Sequence, residues 1–248
     1  MKKHFILLAL SFSLFGLSSC EEWITPETCA AYKTAADLFM DDRILVDGQS
    51  KQNLLIHNLR TGEIFFGGES PVHDFQTGDW LEIGVVIFND FISDECNFGA
   101  DAPPTVTAPT AYRQSGGQAQ PYPLSLAWTP GISNGGYEIS VAEMQFLTGG
   151  NYYFDFQANQ NRQVDEHSFS NNFYNSTTQG YGLTGEGGSA GRMAPIRVLG
   201  EQQLPGAGDR SAPIRQREVA SPEAAHASSA LVKFVKQHYQ GRIKSIRQ

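Results

Sequence analysis

Apolar and polar positions in this chain follow the pattern of a succession of strands. In Tyr153, Phe154, Asp155, Phe156, Gln157 and Ala158, large apolar residues alternate with smaller or polar ones, the period of a half-buried strand. A second apolar run ends at Phe146, and the two are joined at Thr148-Gly149-Gly150-Asn151. Two such runs around a Gly-Gly turn predict a β-hairpin. Trp80 to Asn89 is the strongest strand, rich in β-branched residues that suit a pleated surface. Leu54 to His57 and Glu63 to Phe66 flank Asn58-Leu59-Arg60-Thr61-Gly62 and predict another hairpin, with Gly62 in its turn. After Ala158 the pattern turns polar. Asn159, Gln160, Asn161, Asp165 and Glu166 predict an ordered loop, because such side chains bond their own backbone. From Phe91 to Pro121 the chain reads as loop, since Asp101-Ala102-Pro103-Pro104 and Ser115-Gly116-Gly117 break any ladder.

Helical signals lie toward the two ends. Thr25 and Pro26 start a short helix through Ala30, Ala31, Ala35 and Ala36. Ile196, Val198 and Leu199 predict one last strand within a Gly/Pro-rich stretch, 179–221, that otherwise reads as a linker. Ser221 then caps a helix with Pro222 at its first position and Glu223 in its first turn. Ala227, Leu231, Phe234, Val235 and Tyr239 recur on one face up to Gly241. A lone helix of this length is marginal in water, so it docks on the sandwich, a membrane or a partner. Docking on a partner or on the protein itself is favoured. Leu231, Phe234, Val235 and Tyr239, with Lys233 and Lys236, are the candidate partner-binding residues.

The first twenty residues stand apart. Lys2 and Lys3 precede an apolar run from Phe5 to Leu17, and Leu17-Ser18-Ser19-Cys20 closes it. A basic start, a short apolar core and a small-residue cleavage site define a secretory signal, and the closing cysteine resembles a bacterial lipobox. Residues 1–19 are therefore expected to be removed and Cys20 to be lipidated. Two or three acyl chains hold a protein on a membrane, at about 0.8 kcal/mol for each buried methylene. Glu21 and Glu22 resemble surface-export tags, so the expected location is the cell envelope, at the outer membrane on its periplasmic or surface face. Of the three cysteines, Cys29 and Cys96 remain after lipidation. An even remainder in an oxidising compartment predicts a disulfide, two separate buried thiols being the alternative. The formal charge of −8 argues against nucleic acid as a partner.

Ala158-Asn159, Val164, Glu166 and Ser170-Asn171-Asn172 resemble the closing signature of CARDB domains, the cell-adhesion-related domain of bacteria. Ala36-Asp37-Leu38 resembles the opening strand of that family. Gly78-Asp79 with Leu81, Ile83, Val85, Ile87 and Asn89 resembles its second strand, and Leu124, Leu126, Trp128, Thr129 and Pro130 the strand ending in a Trp-Thr-Pro corner. The resemblance implies an all-β fold, an immunoglobulin-like antiparallel β-sandwich over residues 35–178. The chain then divides into a lipoprotein signal peptide (1–19), a lipidated segment with a short helix (20–34), the sandwich, a flexible linker (179–221) and a basic C-terminal amphipathic helix (222–248).

Chemistry-bearing motifs are sparse. G-x-S-x-G, H-E-x-x-H and a P-loop lysine are missing from the sequence. Gly180, Gly182 and Gly185 satisfy G-x-G-x-x-G, but glycines, Ser189 and Pro195 follow where a phosphate-binding helix is required. Asp90, Asp94, Glu95, Asp101, Asp165 and Glu166 match no calcium-loop spacing and read as solvated loop acids. No cofactor or metal is expected, and no catalysis. The expected function is binding, in adhesion or as an accessory subunit of an envelope or surface protein complex. The alternative is a carbohydrate-binding surface lipoprotein, with Tyr152, Tyr174 and Tyr181 as exposed aromatics for a glycan.

Overall fold

The computed structural model describes residues 35–69, 75–89, 99–115, 118–166, 168–175, 196–200, 214–216 and 221–242. Two sheets face each other across a shared apolar core, so the chain is an all-β sandwich. The first sheet is ordered Ile214–Gln216 (β15), Tyr137–Phe146 (β11), Trp80–Asn89 (β7), Leu55–Asn58 (β4) and Ile64–Phe66 (β5), with Leu38–Phe39 (β1) on the far end of β7. The second runs Ala127–Thr129 (β10), Thr105–Ser115 (β8), Gly150–Ala158 (β12), Ile196–Leu199 (β14) and Phe75–Gln76 (β6); Phe173–Asn175 (β13) pairs with β12 and Gln118–Pro123 (β9) with β8. Pairing is antiparallel except between β14 and β6. Tyr239–Arg242 (β16), Arg43–Val46 (β2) and Gln49–Gln52 (β3) form a third, small sheet.

Alternation decides which side chains meet. Leu81, Ile83, Val85 and Ile87 of β7 face Tyr152, Phe154, Phe156 and Ala158 of β12 in the core between the sheets. The intervening Val86 and Phe88 join a second apolar cluster on the outer side of the first sheet. A near-continuous apolar strand is one buried on both faces, and β7 is that strand. Beside it the Asn53 side chain completes the ladder: its Oδ1 accepts the Val86 N–H and its Nδ2 donates to the Val86 carbonyl, both at 2.8 Å.

Several expectations are met: β7 spans the expected residues, and β4 and β5 form the expected hairpin. Four are corrected. Gly149 and Gly150 do not join a hairpin, because β11 and β12 lie in different sheets. The chain crosses the core there, with the Phe146 and Tyr152 rings 4.7 Å apart. A Cβ on Gly149 would sit 1.8 Å from the Gly200 carbonyl oxygen, so no side chain fits at the crossing. Within the expected loop from Phe91 to Pro121, β8 is an eleven-residue strand. Its Pro109 breaks no ladder: the Pro109 carbonyl accepts from Leu124 at 3.0 Å, on the side where β10 ends at Thr107 and β9 begins at Thr110. The missing N–H falls in that gap. Within the stretch expected as a linker, 179–221, Ile196–Leu199 forms the one strand predicted there (β14), and Ile214–Gln216 adds β15, which was not expected.

The expected C-terminal helix is two helices and a strand. Pro222–Ser228 (α1) is capped by Ser221, as its sequence predicts. Ser229 leaves the helical region, closes α1 through its N–H to the His226 carbonyl, and caps Ala230–His238 (α2) with its hydroxyl. Tyr239 is extended, and the chain continues into β16 rather than along a helix. The short helix expected after Thr25 lies outside the described residues.

Candidate binding surface

The outer side of the first sheet carries the C-terminal segment. Leu231, Val232 and Val235 of α2 are buried among Ile44, Val46, Leu55, Val86, Phe88 and Ile139. Two residues expected to reach a partner, Leu231 and Val235, are therefore turned inward onto the protein's own sheet, 0% and 2% exposed. Phe234 is half-buried, tilted against Phe66 at 6.1 Å and stacked on His238 at 4.5 Å. Tyr239 lies beside Tyr137, with ring centroids 4.2 Å apart. The side of α2 that remains outward is polar: Lys233, Lys236 and Gln237 are exposed. Lys236 Nζ stands 3.9 Å from Glu138 Oε1, a surface pair that holds the side chain only weakly.

Three buried ionisable groups, His57, Glu82 and His226, fix this segment in place. His57 Nδ1 and Glu82 Oε2 are 3.0 Å apart, on neighbouring strands β4 and β7. The same Glu82 oxygen accepts the N–H groups of Ala230 at 3.2 Å and Leu231 at 3.4 Å, so a carboxylate from the sheet meets the positive end of α2. His226 of α1 donates from Nε2 to the Ile139 carbonyl at 2.9 Å and meets the Trp128 ring edge-on at 5.4 Å. Burial holds its imidazole below the ordinary value, against the pull of that hydrogen bond. Sequence reasoning missed Glu82, although one acid inside a ten-residue apolar strand was the available signal. A charge in such a place is buried, and a buried charge needs partners.

A separate polar knot closes one end of the sandwich. Asn159 folds its loop onto itself, with Nδ2 donating to the Val164 carbonyl at 2.8 Å and Oδ1 accepting the Val164 N–H at 3.1 Å. Glu166, expected as a solvated acid, is instead buried, bonded to Asn159, Asn172 and the Leu38 N–H. Residues of the closing signature thus gather around β1, where the described chain begins.

The remaining expected site residues divide between the interior and the segments left undescribed. Tyr152 and Tyr174 are 0% and 2% exposed, packed in the core between the sheets, and offer no ring to a glycan. Alternation turned both inward with their strands. Tyr181 lies outside the described residues, as do Cys20, Cys29 and Cys96, so the lipid attachment and the disulfide have no counterpart among them. Among the described residues no helix is long and apolar enough to cross a membrane, and no three His, Cys, Asp or Glu side chains group to hold a metal. No protein-family model, curated protein or solved structure matches the chain.

Proposed function

We propose that this chain is a bacterial envelope lipoprotein, anchored through Cys20 at the outer membrane, whose sandwich is an immunoglobulin-like, CARDB-like module. In this reading it binds another envelope or surface protein, in adhesion or as an accessory subunit of an envelope complex. The observation that carries the reading is the fixed C-terminal segment: a basic helix face with Lys233, Lys236 and Gln237 outward, on a protein of net charge −8. Opposite charge on a partner would steer it to that face. The lipobox and the gathering of Asn159, Val164, Glu166, Asn171 and Asn172 at one end of the sandwich support the anchor and the module.

Two measurements test this. Labelled palmitate should enter the protein and be lost in Cys20→Ala. A photo-crosslinker placed at Gln237 should then trap one envelope protein in intact cells, while a crosslinker at the exposed Ser170, in the loop of the Glu166 knot, should not. Equal capture from both positions, or none, would reject the partner surface and leave the anchor to the first measurement.

A further inference from the structure

One flank of β12 is filled by a strand in two pieces. β12 pairs with β8 from Asn151 to Ala158 in a single unbroken register, so β8 occupies one side of it along that whole length. β13 and β14 therefore share the other side. β13 sets Phe173, Tyr174 and Asn175 opposite Gln157, Phe156 and Asp155, and β14 sets Ile196, Arg197 and Val198 opposite Tyr152, Asn151 and Gly150. Both run antiparallel to β12 and so in the same direction. Between the two pairings lie only Phe154 and Tyr153 of β12. Asn175 and Ile196 are thus three strand steps apart, about 10 Å, a span that two residues bridge. The chain places 176–195 there instead.

We propose that β13 and β14 are the two halves of one strand and that 176–195 is an insert within it, which the sandwich does not need in order to fold. The alternation of side chains supports this, because it carries across the break. Tyr174 and Ile196 are 2% and 6% exposed and both enter the core between the sheets. With two residues between Asn175 and Ile196, one continuous strand would turn the same two side chains inward. The halves are three and four residues long, and with a two-residue bridge they match the nine residues of β12.

Position and composition fit an insert. β6 meets β14 only at Val198 and Leu199, beyond the break, so no described strand pairs across the place where the chain departs. Within 176–195 six residues are glycine, and Tyr181, Leu183 and Met193 are the only large apolar ones, too few to add much to a core. Such an insert is cheap for the fold, because the entropy of closing a loop grows only with the logarithm of its length. Its residues, Tyr181 among them, then carry no part of the core.

The test shortens and lengthens the insert in the otherwise full chain. Deleting 178–195 joins Thr177 to Ile196, and Ser176→Val puts an apolar side chain at the inward position opposite Phe154. The shortened protein should keep the amide protection of β12 and β8 and unfold in urea at the same midpoint or a higher one, its unfolding constant falling by up to about thirtyfold as the loop drops from twenty residues to two. A run of ten Gly and Ser residues added after Gly188 should raise that constant by no more than about twofold. A shortened chain that fails to fold or unfolds at lower urea overturns the proposal. So does a lengthened chain destabilised well beyond twofold, since 176–195 would then be packed into the fold.

Discussion

The two apolar layers of this molecule are assembled in different ways. The layer between the sheets is made by strands of alternating pattern, with Leu81, Ile83 and Val85 facing Tyr152, Phe154 and Phe156. The layer outside the first sheet is made by pieces remote in sequence: Phe39, Ile44 and Leu55 from the start of the described chain, Val86, Phe88 and Ile139 from its centre, and Leu231, Val232 and Val235 from its end. The inner layer sets the architecture. The outer layer ties the late segments onto an architecture that already exists, and it does so with two polar groups, Glu82 and His57, carried by β7 and β4 on their outer faces. The outer layer should therefore loosen before the inner one.

Substitutions separate the two. Phe154→Ala empties a fully buried site of the inner layer and should cost about 3–5 kcal/mol, seen as a single, much earlier unfolding transition in urea. Leu231→Ala should cost about 3 kcal/mol, but with a different signature: native-state proteolysis cuts within the C-terminal segment while β12 amides keep their protection. If β12 loses protection equally, the two layers are one cooperative unit and the contrast fails. Glu82→Ala leaves the His57 ring and the Ala230 N–H without their acceptor, at about 1–3 kcal/mol; Glu82→Gln, which keeps an acceptor oxygen, should recover part of that in thermal melts.

The smallest expected effect is a pH slope. His226 has a folded value below its ordinary 6.5, so its contribution is complete above 6.5 and lost as the pH falls through the lower folded value. Acid should thus weaken the hold of α1, where His226 bonds the Ile139 carbonyl and meets Trp128, and His226→Gln should flatten that decline in melts at successive pH values. Burial raises the Glu166 carboxyl to about 7, so its share of the stability runs the other way and should be lost as the pH rises.

The inner layer was also the part most legible in the sequence. The unbroken apolar run of β7 and the alternation of β12 mark strands whatever surrounds them, and Ser221 with Pro222 marks a helix start. What alternation does not carry is which sheet a strand joins, so Gly149-Gly150 passed for a hairpin turn. Pro109 hid β8, because a proline's tolerance depends on where the neighbouring strands stop, and that is not a local property. β15 is three residues long, too short for any period to register. At the candidate surface, the amphipathic face of α2 and its lysines were readable, but not what the face rests on. The Glu166 knot brings residues together across 128 positions, beyond the reach of any motif spacing.

The small third sheet has a temporal consequence. β16 pairs with β2, and Gln240 hydrogen-bonds the Gly48 N–H across 192 positions. β3 covers one edge of β2 early, while the other edge stays open until a segment 192 positions later folds back onto it, the kind of long-range closure that slows folding.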